Sequence, residues 1–337
     1  MTKVLVTGGC GFIGSNFVRT VLAERPEWEV VNLDKLTYAG RLENLADVAG
    51  DPRYRFVKGD ICDAEAVAEA MAGCTVAVNF AAETHVDRSL LGAAHFIDTD
   101  MKGVLVLLEE ARRVGLERFV QISTDEVYGS IAQGSFDESC VLNPRNPYAA
   151  SKAGGDRLAF AYWATYGVPV VITRASNNYG PYQYPEKLIP LFATNALRDE
   201  GLPLYGDGRN VRDWLHVSDH CRAVLFVLER GTDGEVYNIA GGNERENIAI
   251  TREVLRLLGK PESLIRPVAD RVGHDRRYSL DAAKLGRLGW APRVAFERGL
   301  AETVRWYAEH EAWWRPIKDH DGEFRSYYEE QYGGRLK

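Results

Sequence analysis

KVLVTGGCGFIG, residues 3–14, is the stretch of sequence that decides the fold of this 337-residue chain. The first five residues, KVLVT, are typical of a strand. Glycines stand at positions 8, 11 and 14, and an apolar helical pattern begins at Phe12 and continues to Ala23. Glycines at this spacing permit a tight turn, let the backbone approach a pyrophosphate and let the helix pack closely on the strand. The free N–H groups at the start of that helix favour phosphate binding. The stretch therefore predicts a Rossmann-type unit that binds a dinucleotide.

An acidic residue stands where such a unit needs one. Asp34 lies twenty residues beyond Gly14, at the end of the second predicted strand. A carboxylate there binds both ribose hydroxyls of NAD and repels the additional phosphate of NADP. The neighbouring Lys35 weakens this preference slightly, and Asp60 and Ile61, which close the third strand, are expected to border the adenine. The predicted cofactor is NAD.

The first half of the chain alternates strand and helix patterns, which predicts a parallel sheet with helices on both faces. Further strands are predicted at Tyr54–Asp60, Thr75–Ala81, Arg118–Thr124 and Pro169–Ala175. Helices are predicted at about 93–114, 147–166 and 217–229, with a strand at 236–240. The expected fold is α/β, a Rossmann-type doubly wound parallel sheet with a smaller interleaved C-terminal substrate domain. Residues 1–176 with about 217–240 are expected to form the NAD-binding domain, and 177–216 with 241–337 the smaller second domain.

The composition excludes several classes of protein. The net charge is −7 without a long basic run, so nucleic acid is not an expected partner. No apolar stretch approaches the roughly 18–20 residues that cross a bilayer, and no signal peptide precedes the first strand. The five cysteines are odd in number and widely spaced, so neither a disulfide framework nor a metal site is expected. The chain is predicted to be cytoplasmic, with reduced thiols.

A second motif indicates redox chemistry. Tyr148 and Lys152 are four residues apart, and therefore lie on one face of the predicted helix. A free tyrosine has a pKa near 10, and lowering it to about 7 requires about 4 kcal/mol in favour of the phenolate. The neighbouring ammonium and the positive nicotinamide ring can supply that stabilisation. Such a pair is common in helices, but together with the glycine-rich loop it predicts proton and hydride transfer from a hydroxyl carbon to NAD.

The glycine-rich loop with this tyrosine–lysine pair resembles the extended short-chain dehydrogenase/reductase superfamily. Within that superfamily, the chain resembles the dTDP-glucose 4,6-dehydratases along essentially its whole length. The matching segments are AETHVDRS at 82–89, STDEVYG at 123–129, SNNYGPY at 176–182, PEKLIP at 185–190, RDWLHV at 212–217 and GHDRRY at 273–278. The family signature is Thr124-Asp125-Glu126, whereas related epimerases carry Ser or Thr there without the acidic pair.

The resemblance implies a reaction in which a hydride is borrowed and returned. Oxidation of glucose at carbon 4 acidifies the hydrogen on carbon 5, water leaves across carbons 5 and 6, and the hydride returns to carbon 6. It implies Glu126 as the base, Asp125 as the acid and Thr124 as the residue bonded to the carbon-4 oxygen. The two carboxyls must then hold opposite protonation states, which burial and mutual repulsion can arrange. Without the resemblance, acids at the start of a helix would explain the pair equally well.

The resemblance also implies that 177–216 with 241–337 form a nucleotide-sugar-binding domain, and it implies two binding sets. The cofactor set comprises Gly8, Gly11, Phe12, Ile13, Gly14, Asp34, Lys35, Asp60, Ile61, Ala81, Ala82, Thr84, Thr99, Tyr148, Lys152 and Asn178. The nucleotide-sugar set comprises His85, Thr124, Asn177, Lys187, Leu188, Pro203, Tyr205, Arg212, Asn247, Arg271 and His274. Its cations would offset the negative charge of the chain near two phosphates, although each could instead form a surface salt bridge. A homodimer through the helices near 93–114 and 147–166 is also implied.

Two other functions compete with the dehydratase. A nucleotide-sugar 4-epimerase would share Tyr148 and Lys152 but return the hydride to carbon 4, and it would have no use for Asp125 and Glu126. A non-catalytic NAD-binding module would need none of these four residues. Their presence together therefore favours the dehydratase.

Overall fold

The computed structural model of the chain describes residues 2–271 and 273–333. Its strands are, in chain order, β1 (Lys3–Thr7), β2 (Glu29–Asp34), β3 (Tyr54–Lys58), β4 (Val76–Asn79), β5 (Arg118–Thr124), β6 (Val170–Ala175), β7 (Asn177–Tyr179), β8 (Leu202–Tyr205), β9 (Val211–His216), β10 (Val236–Ile239), β11 (Glu244–Glu246) and β12 (Ile265–Val268). Seven of them form the central sheet, in the order β10-β6-β5-β4-β1-β2-β3. Each neighbouring pair in this sheet runs parallel.

The helices connect these strands and cover both faces of the sheet. They are α1 (Phe12–Glu24), α2 (Ala64–Met71), α3 (Val86–Leu91), α4 (Ala94–Ile97), α5 (Val104–Val114), α6 (Pro147–Tyr166), α7 (Leu188–Leu197), α8 (Val217–Arg230), α9 (Asn247–Leu258), α10 (Ala283–Arg287), α11 (Phe296–Glu309), α12 (Glu311–His320) and α13 (Gly322–Tyr328). Short 3₁₀ helices cover Leu42–Leu45, Asp125–Tyr128 and Glu262–Leu264, and π-helical turns cover Asp98–Gly103 and Glu329–Gly333.

The apolar runs of the strands explain why the sheet is covered on both sides. In β1, Val4 and Val6 belong to the core that includes residues of α1 and α8. Leu5, between them, belongs to the opposite core with residues of α2, α5 and α6. Successive side chains of a strand point to opposite faces, so a strand buried on both sides must be apolar throughout. The predicted doubly wound α/β fold is confirmed.

One predicted helix has a different geometry. The stretch predicted as one helix at about 93–114 contains a π-helical turn over Asp98–Gly103, which separates α4 from α5. In that turn the buried Asp100 carboxylate accepts hydrogen bonds from the Ser151 hydroxyl at 2.7 Å and the Glu83 backbone N–H at 3.2 Å. A π-helical turn holds one more residue than an α-helical turn, and such turns are frequent at functional sites. These long-range contacts of Asp100 are the physical reason for the departure.

Two strands are shorter than predicted. The strand expected at Tyr54–Asp60 ends at Lys58, and the strand expected at Thr75–Ala81 covers only Val76–Asn79. The residues beyond these ends, Asp60 and Ala81, leave the sheet and line the cleft described below.

The second half of the chain builds smaller units beside the main sheet. β11, β9 and β7 form a three-stranded sheet, and β12 pairs in parallel with β8. Helices α7, α9 and α11 share a separate apolar core with these strands. α8 packs against α1, and β10 joins the central sheet beside β6. The exact division into two domains stays a prediction.

Candidate active site

The carboxyl ends of the central strands open into one cleft with a cavity volume of about 310 Å³. β1 lies between β2 and β4 in the sheet, so the chain order reverses at this point. Loops that diverge at such a reversal leave a crevice, which is where doubly wound sheets bind their ligands. Every residue of the predicted cofactor set lines this cleft.

The glycine-rich loop forms one wall of the cleft and requires its glycines. Gly8 has a φ of +66°, and a Cβ atom there would lie 2.7 Å from the backbone nitrogen of Ala81. A Cβ atom on Gly14 would overlap the carbonyl oxygen of Gly8. Gly11 precedes the first residue of α1, whose first turn contains no acidic residue. The N–H groups at this helix start are therefore suited to an anion such as a pyrophosphate.

The carboxylate of Asp34 ties the end of β2 to this loop. It accepts the backbone N–H groups of Cys10 and Leu36, each at 2.8 Å. Burial raises the pKa of Asp34, and these two hydrogen bonds oppose that effect. The Lys35 ammonium lies 2.7 Å from the Asp60 carboxylate. The positive charge of Lys35 is thus paired, which reduces its effect on the preference of Asp34 for NAD.

The cleft also contains polar atoms that suit a polar cofactor. Among the described residues, no hydrogen-bond partner is present for the buried oxygen atoms Ser123 Oγ, Ser176 Oγ, Asn177 Oδ1 and Asn178 Oδ1. All four residues line the cleft. Buried polar groups are normally hydrogen-bonded. The donors and acceptors of this wall therefore fit a ligand with amide and hydroxyl groups, as NAD has.

The start of α6 places the tyrosine–lysine pair. Asn146 accepts the Ala149 backbone N–H at 2.8 Å, and Pro147 occupies the first helical turn. Asn and Pro are favoured at these positions, so the sequence itself fixes where the helix begins. Tyr148 and Lys152 are both buried and both line the cleft.

Burial and nearby charges shift the pKa of both members of this pair. Lys152 donates to the Ile122 carbonyl oxygen at 2.8 Å, and burial lowers the pKa of its ammonium. Burial, followed by the negative charge of Glu126, raises the pKa of Tyr148 well above its ordinary value of 10. The lowering of this pKa by Lys152 and the nicotinamide ring together stays a prediction.

The acidic pair directly follows β5, on the 3₁₀ helix Asp125–Tyr128. The Thr124 hydroxyl donates to Asp125 Oδ1 at 3.1 Å and accepts the Glu126 backbone N–H at 3.3 Å. Only 3% of Asp125 is exposed. Burial and, secondly, the charge of Glu126 raise the pKa of Asp125 to about 8. The Asp125 carboxyl is therefore protonated at neutral pH and can act as an acid.

Glu126 has different surroundings from its neighbour. It is half-buried, and its Oε2 atom lies 3.4 Å from the Asn146 side-chain amide and 3.5 Å from the Tyr278 hydroxyl. The single hydroxyl proton of Tyr278 is donated to Asp275, at 2.7 Å. The Asp125 carboxyl is thus buried, whereas the Glu126 carboxyl is half-buried and has long polar contacts at the cleft wall. This difference is what an acid and a base in adjacent positions require.

The predicted nucleotide-sugar set divides into two groups. Thr124, Asn177 and Lys187 line the cleft, and the Lys187 ammonium donates to the Thr84 carbonyl at 2.7 Å. The others lie beyond the lining: His85, Leu188, Pro203, Tyr205, Arg212, Asn247, Arg271 and His274. The charge of Arg212 lowers the pKa of Asp125. Arg212, although outside the cleft lining, is therefore close enough to influence Asp125.

Asp87 connects several residues of the second group and was not predicted. Its carboxylate accepts Arg271 Nη1 at 3.1 Å and the Tyr205 hydroxyl at 3.1 Å. The Tyr205 and His274 rings meet edge to face at 5.9 Å. His85, two residues before Asp87, is buried, and burial lowers its pKa well below its ordinary value. A buried neutral histidine agrees equally with a core position and with a ligand contact.

Other residues of the cleft wall were also missed. The Tyr38 hydroxyl and Arg88 Nε both donate to the buried Glu186 carboxylate, each at 3.0 Å. Tyr38 and Glu186 line the cleft, as do Glu83, Gln183, Tyr184 and His220. Glu186 precedes Lys187 in PEKLIP, one of the segments that carry the family resemblance, so the sequence contained a signal for it. Tyr38 lies in a loop without a recognisable motif.

The part of the chain that the structure describes contains neither a helix suited to crossing a membrane nor a side-chain cluster suited to a metal. No helix there is long and apolar enough to cross a membrane. Within the same residues, no group of three or more His, Cys, Asp or Glu side chains is arranged to hold a metal ion. The five cysteines are free.

Comparisons with known proteins agree on one family. The GDP-mannose 4,6 dehydratase family model matches residues 5–303. The dTDP-glucose 4,6-dehydratase of Streptomyces niveus is 54% identical over 324 residues, covering 95% of this chain and 96% of the relative. The crystal structure of a dTDP-glucose 4,6-dehydratase from Streptomyces venezuelae, with NAD and dTDP bound, has a TM-score of 0.93 and 56% identity over 94% of this chain and 100% of that one. A UDP-glucose 4-epimerase of Thermus thermophilus in complex with NAD has a TM-score of 0.85 and 32% identity, over 92% and 100%.

The protonation state of Asp125 gives a prediction for stability. Because its pKa is raised from 3.8 to about 8, the folded chain holds a proton that the unfolded chain releases. Between these two values the folded state binds more protons, so this group makes the chain less stable as the pH rises. We expect the melting temperature of Asp125→Asn, measured by calorimetry, to fall less than that of the unmodified chain as the pH rises from about 5 to about 9. The effect is about 1.4 kcal/mol for each unit of pKa shift.

The control is Asp137→Asn, which changes an exposed carboxylate in a nearby loop. Between about pH 5 and pH 9 its melting temperature should change with pH as that of the unmodified chain does, because hydrogen bonds from Ser139 lower the pKa of Asp137 and keep it ionised throughout this range. Equal pH slopes for Asp125→Asn and the unmodified chain would contradict a protonated Asp125.

Proposed function

This chain belongs to the dTDP-glucose 4,6-dehydratase family, and on that premise we propose that it converts dTDP-glucose to dTDP-4-keto-6-deoxyglucose. It is an NAD-dependent hydro-lyase. The observation that best supports the proposed reaction is the raised pKa of Asp125 beside Glu126, in a cleft shared with Tyr148 and Lys152. An elimination needs an acid and a base together, and these two carboxyls have surroundings that separate their roles.

The residues of the glycine-rich loop, Asp34 and Lys152 would hold NAD in this cleft. When bound, NAD supplies the hydride acceptor for carbon 4 and the hydride donor for carbon 6. Because the hydride returns to the same sugar, the cofactor is regenerated in every cycle. NAD then stays bound as a catalytic group. The glycine-rich loop, in which Gly8 and Gly14 leave no room for a side chain, would help to hold it.

Tyr148 would remove the proton of the carbon-4 hydroxyl, and Thr124 would orient the carbon-4 oxygen. Burial opposes the ionisation of Tyr148. The positive charge of the oxidised nicotinamide ring, together with the ammonium of Lys152, acts in the opposite direction. This assignment predicts that Tyr148 becomes a useful base only when the oxidised cofactor is bound.

Glu126 would take the proton from carbon 5 once carbon 4 is a ketone. Asp125 would give its proton to the leaving carbon-6 hydroxyl, which departs as water. Thr124 donates to Asp125 Oδ1, whereas Asp125 Oδ2 is buried without a partner among the described residues. A protonated carboxyl held through one oxygen in this way keeps the other oxygen for its substrate.

A 4-epimerase is the alternative, because the epimerase structure shares the fold at 32% identity. Tyr148 and Lys152 fit both reactions. Epimerisation at carbon 4 needs neither a base at carbon 5 nor an acid at carbon 6, so it leaves Asp125 and Glu126 without a role. The dehydratase uses all four residues.

We further propose that the chain forms a homodimer through α3–α6. Large apolar side chains are exposed on these neighbouring helices, namely Leu90, Leu91, Ile97, Leu105 and Tyr166. Contiguous patches of exposed apolar residues mark protein interfaces, and we propose that these residues form such a patch. A second copy of this chain would cover them. The cytoplasmic location and the absence of a nucleic-acid partner stay predictions from the sequence.

The reaction is tested by the mass of the product. We incubate the chain with dTDP-glucose and NAD, adding no other reductant, and analyse the nucleotide sugar by mass spectrometry. A product lighter by one water, without net formation of NADH, is expected. A sugar of unchanged mass and altered configuration would establish the epimerase instead.

The base is tested by Glu126→Gln. The variant should retain NAD, because Glu126 does not belong to the predicted cofactor set. Exchange of the carbon-5 hydrogen with deuterated water should fall by about 10²- to 10⁴-fold. Nuclear magnetic resonance of the recovered sugar measures the exchange. The matched variant Asp125→Asn should lose water elimination while carbon-5 exchange persists. Normal exchange in Glu126→Gln would show that another residue is the base.

The dimer is tested by Leu105→Glu. A charge buried without a partner is costly, so this variant should sediment as a monomer where the unmodified chain sediments as a dimer. Leu288 is also exposed but lies just beyond α10, away from the proposed interface. Leu288→Glu should therefore remain dimeric. A monomeric unmodified chain, or a dimeric Leu105→Glu variant, contradicts this interface.

A further inference from the structure

The last described part of the chain packs beside the predicted nucleotide-sugar residues. We refer to α13 and the π-helical turn after it, residues 322–333, as the C-terminal segment. Its aromatic residues Phe324, Tyr327 and Tyr332 are buried, as expected for a tail that packs against the body of the chain. Apolar packing alone, however, does not explain where its polar atoms lie.

Tyr327 shares a carboxylate with two predicted substrate residues. Its hydroxyl donates to Asp87 Oδ2 at 3.4 Å, the same oxygen that accepts the Tyr205 hydroxyl at 3.1 Å. The other oxygen, Oδ1, accepts Arg271 Nη1 at 3.1 Å. Asp87 is 5% exposed. A buried carboxylate with three donors fixes the positions of those donors relative to one another.

The π-helical turn makes further contacts with Tyr205. The Gln331 side-chain amide donates to the Tyr205 hydroxyl at 2.5 Å, and the Tyr332 and Tyr205 hydroxyls are 3.2 Å apart. Burial and the charge of Asp87 raise the pKa of Tyr205 to about 12. The Tyr205 hydroxyl is therefore neutral, donating to Asp87 and accepting from Gln331. Its ring is held by the C-terminal segment on one side and Asp87 on the other.

The same segment reaches the loop that borders the cleft. The Tyr327 ring meets the His85 ring edge to face at 5.1 Å, and the Arg88 guanidinium lies 4.8 Å from the centre of the Tyr327 ring. Arg88 also donates to Glu323 at 2.8 Å. His85 and Arg88 flank Asp87 in the chain. The segment therefore contacts α3 together with His85, the residue before it, and the end of β8, where Tyr205 lies.

We propose that Tyr327 and Gln331 are positioning residues, which hold Tyr205 and, through Asp87, Arg271 in place to bind the nucleoside diphosphate half of the substrate. This inference rests on the proposed function, since Tyr205 and Arg271 are substrate residues only in that reaction. Arg271 is oriented by Asp87 at one N–H group, which leaves its other N–H groups for phosphate oxygens. The C-terminal segment thus sets affinity for the nucleotide and takes no part in the chemistry at the sugar.

The test compares Tyr327→Phe with Tyr328→Phe. Both variants keep an aromatic ring and lose one hydroxyl, but the Tyr328 hydroxyl accepts the Asn195 amide at 3.1 Å and does not contact Asp87. For Tyr327→Phe we expect the dissociation constant of dTDP and the KM for dTDP-glucose to rise about three- to tenfold, as for one lost hydrogen bond. Its kcat and NAD content should be unchanged. Gln331→Ala should behave in the same way, and Tyr328→Phe should match the unmodified chain.

Calorimetric titration with dTDP and steady-state kinetics give these values. Unchanged dTDP affinity in both Tyr327→Phe and Gln331→Ala would overturn the positioning role. A fall in kcat and NAD content with unchanged dTDP affinity would also overturn it, because that pattern indicates general destabilisation. An unmodified chain that binds no dTDP would instead contradict the proposed function, on which the inference rests.

Discussion

A single buried hydrogen bond, from the Lys152 ammonium to the Ile122 carbonyl, holds the two halves of the site in register. Lys152 belongs to α6, one turn after Tyr148, whereas Ile122 lies two residues before the end of β5. The acidic pair follows that strand directly. A buried ammonium is costly unless it is hydrogen-bonded, so the helix cannot shift along the strand without loss of stability. The distance between the tyrosine and the two carboxyls therefore depends on this contact, together with the 3.4 Å contact between Asn146, at the start of α6, and Glu126.

Burial raises the pKa of both Asp125 and Tyr148, with opposite consequences for the roles that we propose for them. It raises the pKa of Asp125 to about 8, which is useful for a group that must hold a proton. It raises the pKa of Tyr148 as well, which is unfavourable for a group that must lose one. The same low-polarity environment therefore creates the acid and hinders the base. Positive charge is what the tyrosine still needs, and a reaction that begins with oxidised NAD brings that charge to the site.

The sequence predicted best those parts that depend on local chemistry. The glycine-rich loop, Asp34 and the limits of α6 follow from turn geometry, strand ends and helix capping, and all were placed correctly. The π-helical turn could not be predicted, because it depends on contacts of Asp100 with Ser151, which lies in another helix. The contacts around Asp87 likewise join residues far apart in sequence. The outer substrate residues came from family resemblance alone, since no spacing or periodicity marks them.

The scaffold by itself does not determine which reaction occurs. A UDP-glucose 4-epimerase with 32% identity has nearly the same fold and is a complex with NAD, so this scaffold serves two chemistries. The difference must lie in the residues that would contact carbons 5 and 6 of the sugar. In this chain Thr124 contacts Asp125, while Asn146 and Tyr278 lie beside Glu126. Burial and the charge of Glu126 raise the pKa of Asp125 to about 8, although the Thr124 hydrogen bond acts in the opposite direction. If Asp125 is the acid and Glu126 the base, as we propose, elimination has both of its catalysts in place once carbon 4 is oxidised. Returning the hydride to carbon 4 is then no longer the only way to regenerate NAD.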